Sequence, residues 1–258
     1  MNTQPQRRLY LYFATENDRA VILLRAARRL WAMILWDRAA GTFTEGQWLK
    51  REIDPALCQI SPDGRHFLYN VRYNRPNDAA TESYTAISRP PYFTALALFA
   101  QGWIPGWGGC FLDNGHYWID GLPGPEAQRV GKTPDLARVI EGTPAKGCTT
   151  GLRLTDGRPA PLARDAARRL VALLPKAGQR GCPPDLMWLW RQALAGEQDA
   201  IHARYDTLGG RLYRRDGMEL ALIRDFDELQ FRPVRAPYDD RPLAGAEPAP
   251  WHPLDGEA

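Results

Sequence analysis

Short apolar runs, separated by a few charged or turn-forming residues, fill the beginning of the chain. Three of them cover residues 9–13, 20–24 and 30–36, and each is rich in Leu, Ile, Val or aromatic side chains. The polar stretches at residues 16–18 and 37–41 lie too close together to leave room for a long helix between them. Runs of this length and composition are typical of strands, so the pattern predicts successive antiparallel strands.

A tight turn is predicted at Ser61-Pro62-Asp63-Gly64, because Pro presets φ at the first corner and Asp-Gly readily takes the positive φ of a hairpin. Beyond it Phe67, Tyr69 and Val71 alternate with the residues between them, as on a strand. Similar turn signals recur at Asn114-Gly115, Asp156-Gly157 and Asp216-Gly217. The intervals of 51, 42 and 60 residues bracket the roughly 40–50-residue period of propeller blades, each of which needs a tight outer hairpin.

The third quarter of the chain departs from this β pattern. Leu162, Ala166, Leu170 and Leu174 recur at the i, i+4 spacing of a helix, which Pro175 is expected to end. Residues 186–194, which follow two prolines, fit either a second helix or one buried strand.

These patterns together predict a mainly β fold: a propeller-like arrangement of four-stranded antiparallel sheets with one or two helical insertions in the third quarter. A β-sandwich or an open barrel is the alternative, since both also consist of many short strands joined by turns. The predicted domain spans residues 1–236. Residues 237–258, rich in Pro, Gly and acidic residues and without periodicity, are predicted to form an irregular or disordered tail.

Two blocks of the sequence resemble a group of uncharacterised bacterial propeller-like proteins. The first block is Ser88-Arg-Pro-Pro-Tyr92 with Thr94-Ala-Leu-Ala-Leu98, which runs into Trp107-Gly-Gly109; the second covers residues 209–233. The turn at residues 61–64 is similar to the hairpin of TolB-like and WD-type propellers. The resemblance covers most of residues 9–235, although residues 125–205 depart from it. It implies a propeller-like fold and no particular activity.

Composition narrows the class of protein. A hydrophobic fraction of 44% with 24% charged residues excludes a largely disordered or fibrous chain. The 33 basic residues include only four Lys, but the arginines are scattered among 30 acidic residues, so nucleic acid is not favoured as a partner. No apolar run is long enough to cross a membrane.

The four cysteines lack metal-ligand spacing and favour buried free thiols in a reducing cytoplasm.

The candidate binding site is an aromatic, Gly- and Pro-rich stretch. It contains Arg89, Tyr92, Trp103 and Trp107, followed by Asp113. Rigid aromatic side chains of this kind stack on ligands or on the apolar side chains of a partner. The alternative is that the stretch only turns the chain while both Trp side chains pack in the core.

Support for catalysis is thinner, and no catalytic residue is assigned. The four His share no metal-ligand spacing and are expected on the surface or in hairpins, and no metal or cofactor is predicted. Asp225/Asp227 and Asp113/Asp120 can be written as acid and base pairs, but carboxylates at strand edges usually make turns.

Two hypotheses remain. The first is a non-catalytic propeller-like scaffold that binds a protein or small ligand through its aromatic loops; the second is a hydrolase whose acid and base converge from separate strands.

Overall fold

The structure is a computed structural model that describes residues 7–72, 83–102, 108–119, 135–141, 149–177 and 186–239. Trp103, Trp107, Asp120, Cys148, Cys182 and His252 lie outside these residues, as does the tail from residue 240. The described chain is mainly β, with four sheets and two α-helices.

The first sheet, called the N-terminal sheet, is an antiparallel meander of four consecutive strands. These are β1 (Arg8–Phe13), β2 (Arg19–Ala27), β3 (Leu30–Asp37) and β4 (Thr42–Leu49). The first three confirm the strands predicted at residues 9–13, 20–24 and 30–36, whereas β4 was not predicted. Residues 20–24 of β2 are fully buried. They form an unbroken apolar run because both faces of this sheet are covered.

The second sheet contains β5 (Glu52–Ile53), β6 (Gln59–Ile60), β7 (Phe67–Arg72), β8 (Ser83–Ser88) and β9 (Ala95–Gly102). The two short strands β5 and β6 pair with the same neighbour, β7, and a 3-10 helix, Pro55–Leu57, interrupts them. Pro55 has no N–H to donate to a strand ladder. The predicted turn between β6 and β7 is confirmed, since Gly64 N donates to Ser61 O over 2.9 Å.

The third sheet contains β10 (Gly109–Phe111), β11 (His116–Ile119), β12 (Ala137–Glu141) and β13 (Leu152–Leu154). The predicted hairpin at Asn114-Gly115 joins β10 to β11. The expectation of purely antiparallel pairing is wrong here, because β12 runs parallel to β11. The chain between these two strands is long enough for the crossover that a parallel pair needs, about a dozen residues.

The helix predicted around residues 162–174 is α1 (Arg164–Ala177). Residues 186–194, which fitted either a helix or a strand, belong to a second helix, α2 (Leu186–His202). The predicted end of α1 at Pro175 is wrong, because the helix continues to Ala177. A proline inside a helix loses the hydrogen bond to the carbonyl four residues earlier and its ring crowds that carbonyl, but only two helical residues follow Pro175.

The chain ends in a three-stranded sheet, called the C-terminal sheet. It contains β14 (Tyr205–Leu208), β15 (Arg211–Asp216) and β16 (Glu219–Asp225), with the predicted turn at Asp216-Gly217 between the last two. Four strands were expected. No described residue after β16 forms a strand, and Pro233 and Pro237 cannot donate to a ladder.

The elements pack as successive layers. One face of the N-terminal sheet packs on the second sheet through residues such as Tyr12 and Phe67, and its other face packs on the C-terminal sheet through Phe13 and Leu212. The second sheet's other face meets the third sheet, and the two helices cover the remaining face of the third sheet. Three sheets are therefore covered on both faces, unlike the sheets of a simple two-layer sandwich.

Helix α2 contacts edge strands of two sheets, β10 and β1, through side-chain donors. Trp190 Nε1 donates to Phe111 O of β10 over 2.9 Å, and Gln198 Nε2 donates to Phe13 O of β1 over 2.8 Å. Gln59 Oε1 on β6 accepts from Phe111 N over 2.6 Å. Main-chain groups at these strand edges are thus satisfied without a ladder between the sheets.

Other predictions concern the cysteines and the membrane. Cys58 and Cys110 are buried free thiols, as predicted. Burial raises the pKa of the Cys58 thiol to about 12, which makes it a poor nucleophile. Neither described helix has the length and apolar character that a membrane crossing requires.

Candidate functional site

Three loops from three different sheets meet at one end of the molecule, called the loop end: residues 14–18 after β1, residues 61–65 after β6 and residues 113–115 after β10. Four hydrogen bonds link them in a closed cycle. Glu16 N donates to Pro62 O (3.0 Å), Asn17 Nδ2 to Asp63 O (2.7 Å), Asp63 N to Asn114 Oδ1 (2.9 Å), and Asn114 Nδ2 to Glu16 Oε2 (2.7 Å). The cycle holds the three loops in fixed relative positions.

The sequence of the middle loop explains its shape. Asp63 Oδ1 accepts hydrogen bonds from Ser61 Oγ (2.6 Å) and from Arg65 N (3.0 Å), as turn-forming Asp residues do. Gly64 has a φ of +70°, and a Cβ at this position would lie 2.8 Å from Arg19 Cβ. Glycine therefore permits both the turn and the close approach of the neighbouring loop.

A cleft of about 540 Å³ opens beside this cycle. Its lining is charged or polar apart from one alanine: Asn17, Asp18, Arg19, Asp37, Ala39, Asp63 and Arg65. Asp18 pairs with Arg38 at 3.2 Å and Asp63 with Arg65 at 3.7 Å. Arg19 makes no ion pair within the described residues. The cleft thus offers charges of both signs on a fixed frame.

The predicted site residues Arg89 and Tyr92 lie together on the loop of residues 89–94, called the 89–94 loop, which follows β8. Both contact Tyr238. The Arg89 guanidinium lies 5.7 Å from the centre of the Tyr238 ring, and the Tyr92 ring meets it edge to face at 6.0 Å. The Arg89 side chain also lies 3.7 Å from Asp135 and is 43% exposed. The aromatic partner here is Tyr238, which the sequence analysis assigned to an irregular tail; the predicted Trp103 and Trp107 lie outside the described residues.

The fifth predicted residue, Asp113, lies in the loop end but its carboxylate binds the protein itself. Oδ1 accepts from Gly115 N and from His116 Nδ1, each at 2.8 Å, and Oδ2 accepts from Ala163 N at 2.7 Å. Partial burial alone raises the pKa of Asp113, but the hydrogen bonds from His116, Ala163 and Gly115 outweigh it and hold the pKa below its usual value. Asp113 therefore fixes the β10–β11 turn against the start of α1.

Asp113→Asn is expected to lower the free energy of unfolding by about 1.5–3 kcal/mol at pH 7, the range for hydrogen bonds to a charged group. Because the folded-state pKa of Asp113 is depressed, the carboxylate stabilises the protein above the unfolded-state pKa near 4, and this contribution is lost as the pH falls through the folded-state pKa. Urea unfolding at pH 7, 5 and 3 should show the gap between wild type and variant closing at the acidic end.

A matched control is Asp156→Asn. Arg158 also lowers the pKa of Asp156, but this ion pair is fully exposed to solvent, so its loss should change stability little at any pH. A gap between wild type and Asp113→Asn that stays constant down to pH 3 would contradict this account of Asp113.

His66 is a buried group of the loop end that the sequence analysis placed only in a hairpin. Its side chain is 5% exposed, and its Nδ1 atom is buried without a hydrogen-bond partner among the described residues. Burial lowers the pKa of His66, opposed by Asp63 and reinforced by Arg89. His66 is thus a buried titratable side chain within electrostatic range of both Asp63 and Arg89.

The other candidates for chemistry are structural. Within the described part of the chain, no three His, Cys, Asp or Glu side chains are grouped closely enough to hold a metal ion. Asp225 and Asp227 both pair with Arg211, at 2.7 and 3.2 Å, on the exposed C-terminal sheet. His202 packs edge to face against Phe13 at 4.7 Å.

In comparisons with known proteins, the chain matches no protein family, no curated protein and no solved structure. Its function is therefore argued from the site.

Neither the loop-end cleft nor Tyr238 was predicted from the sequence as part of a site. A signal for the loop end was present, because Asn17-Asp18, Asp63-Gly64 and Asn114-Gly115 each follow a short strand. Loops that follow strands of the same direction lie at the same end of a fold, but the sequence does not state which strands are neighbours.

Proposed function

We propose that the protein is a non-catalytic, propeller-like scaffold that recognises a protein partner through its loop end. Contacts among the inner elements support the propeller-like part. β1 contacts β6, β6 contacts β10, β10 contacts α2, α2 contacts β14, and β14 contacts β1. In this proposal α2 takes the place of the inner strand of one blade, which accounts for a ring that combines four sheets with a helix pair.

The observation that carries the binding function is the hydrogen-bonded cycle around the charged cleft. Loops on a rigid β frame are the usual carriers of binding residues. Loops that are already ordered lose little conformational entropy when a partner binds, so more of the interaction energy appears as affinity.

The chemistry of the lining favours a polar peptide segment as the ligand. Arg19 and Arg65 provide cationic groups, while Asp18 and Asp37 provide anionic ones within the same cleft. A polyanion such as nucleic acid would be repelled by the carboxylates, and an apolar small molecule would leave the charges desolvated. A protein segment that carries both signs of charge satisfies the cleft best. Arg89 and Tyr92 lie on the loop after β8, at the same end of the second sheet as residues 61–65.

Recovery of partners from the native host with tagged protein tests this proposal. The double variant R19E/R65E should lose most of the bound partner while its melting temperature stays close to that of the wild type. The control R168E changes an exposed arginine of α1, paired with Asp165 at 2.9 Å, and should recover the partner normally. Equal recovery by all three proteins would remove the cleft from the proposal.

A hydrolase is the second candidate, because three carboxylates from separate elements line the cleft: Asp18, Asp37 and Asp63. Each of them already binds the protein, since Asp37 Oδ1 accepts from Ala40 N over 2.9 Å and the other two make ion pairs. Turnover of chromogenic ester, phosphate or glycoside substrates that is abolished by both Asp37→Asn and Asp63→Asn would favour the hydrolase over the scaffold.

A further inference from the structure

The last described part of the chain, residues 229–239, called the terminal segment, crosses the outer strand β4 and ends on the 89–94 loop. It has no regular secondary structure. Val234, Ala236 and Tyr238 are buried or half-buried, whereas Pro233, Arg235 and Pro237 are exposed. This alternation is that of an extended peptide lying on a surface with every second side chain inward.

The first anchor of the terminal segment is Phe231. Its ring meets Trp48 edge to face at 6.0 Å, and the Lys50 ammonium lies 4.8 Å from the ring centre. Phe231 is nevertheless 46% exposed. Three residues on, Val234 O accepts a hydrogen bond from Gln47 Nε2 over 2.8 Å.

The second anchor is Tyr238, which fills the angle between Arg89 and Tyr92. Its hydroxyl donates to Thr94 O over 2.8 Å and accepts from Arg89 N over 3.2 Å. Ala236, between the two anchors, is only 2% exposed. The predicted binding residues Arg89 and Tyr92 therefore already hold a tyrosine of the same chain.

Beneath the terminal segment, β4 and the 89–94 loop are also joined by bonds in which the segment takes no part. Gln47 is 2% exposed, its Oε1 accepts from Thr94 N (2.8 Å) and Thr94 Oγ1 (3.1 Å), and its main-chain N donates to Pro91 O (3.0 Å). These bonds fix β4 and the 89–94 loop against each other and leave Nε2 of Gln47 for the segment. We call the surface formed by β4 residues 45–50 and the 89–94 loop the β4 groove.

We infer that the β4 groove is a binding site for extended, proline-containing peptides of a partner protein, with an aromatic residue at one end, a tyrosine seven residues later and a small residue between them. The terminal segment occupies this site in the free protein. The inference rests on the proposed function, because the 89–94 loop lies at the same end of the second sheet as residues 61–65, and it names the chemical class of the partner.

Two observations make the terminal segment exchangeable. It is held by side-chain anchors and isolated hydrogen bonds rather than by a strand ladder, and such segments open locally at a lower free energy than core strands. It also follows the last strand, so that its release leaves every pairing of the four sheets intact. Its covalent attachment gives it an effective concentration of about millimolar, so a partner peptide competes with it.

Binding of a fluorescein-labelled peptide of residues 229–239 to the full-length chain tests this inference by anisotropy. The full-length variant F231A/Y238A, whose own segment lacks both anchors, should bind the peptide at least about tenfold more tightly than the wild type, whose segment competes in cis. The same peptide with its tyrosine replaced by alanine should not bind. A folded F231A/Y238A variant that binds neither peptide overturns the inference.

The variant Y238F covers the case in which the double variant does not fold. It keeps the ring and loses both hydroxyl hydrogen bonds, so its own segment competes more weakly than that of the wild type. Its affinity for the peptide should therefore lie between those of the wild type and F231A/Y238A. Failure of both variants to fold would show the terminal segment to be an integral part of the fold and would overturn the inference.

The two proposals fail separately. If R19E/R65E loses the partner but F231A/Y238A does not bind the peptide, the β4 groove is refuted and the cleft stands. If F231A/Y238A binds the peptide but R19E/R65E recovers the partner normally, the cleft is refuted and the β4 groove stands.

Discussion

Gly46→Ala is expected to lower the free energy of unfolding by more than about 3 kcal/mol. A Cβ at Gly46 on β4 would lie 1.9 Å from Pro91 O and 2.4 Å from Pro91 Cβ. Overpacking of this kind costs about 1–3 kcal/mol even where side chains can adjust. Because the clashing atom is a main-chain oxygen, β4 and the 89–94 loop must separate, and the bond from Gln47 N to Pro91 O, worth about 1 kcal/mol, is lost as well.

The matched control is Gly196→Ala in α2, where an added Cβ meets no atom within 4 Å. That change should raise stability by about 0.5–1 kcal/mol, since alanine is the better helix residue. Urea unfolding of the two variants beside the wild type measures both effects. Similar stability of the two alanine variants would show that β4 and the 89–94 loop do not approach as closely as described.

Trp190→Ala is expected to lower the free energy of unfolding by about 3–5 kcal/mol, the range for truncation of a buried tryptophan or phenylalanine. Trp190 is 1% exposed, packs between α2 and the third sheet, and donates to Phe111 O. Trp190→Phe keeps much of the packing and removes the donor, so it should cost about 1 kcal/mol from the hydrogen bond and somewhat more from the lost volume.

The control for Trp190 lies on the same helix. Trp188 is 49% exposed, and Trp188→Ala should cost about 1 kcal/mol or less because little apolar area leaves a buried site. Thermal unfolding followed by circular dichroism ranks the three variants. If Trp188→Ala were as damaging as Trp190→Ala, the face of α2 that meets β10 would be wrongly assigned.

Local signals in the sequence were sufficient for several of the strands and for the turns between them. The run at residues 20–24 and the turns at Asp63-Gly64, Asn114-Gly115 and Asp216-Gly217 are confirmed. Each depends on residues adjacent in the chain, where φ preferences and alternation act directly.

Features that depend on distant contacts were not predictable in the same way. The parallel pairing of β12 with β11 follows from a long connection, whose direction no local residue fixes. Residues 186–194 became helical because Leu186, Trp190 and Leu194 together cover the third sheet, and a short apolar run alone fits a strand equally well.

In the candidate site, too, contacts between residues close in sequence were predictable and contacts between distant residues were not. Arg89 and Tyr92 are adjacent in sequence and in space, but their partner Tyr238 is about 150 residues away along the chain. Asp113, predicted from the sequence to bind a ligand or partner, lies at the loop end, where its bonds to His116 and Ala163 give it a structural role. Contacts of this range appear only once the sheets are stacked.

The central claim is that the loop end is the recognition surface, and hydrogen–deuterium exchange of the protein with its recovered partner tests it most directly. The account predicts slower exchange on binding for residues 14–18, 61–65 and 113–115, and unchanged exchange for α1. Protection confined to α1 or to the outer face of the C-terminal sheet, with the three loops unaffected, would contradict it.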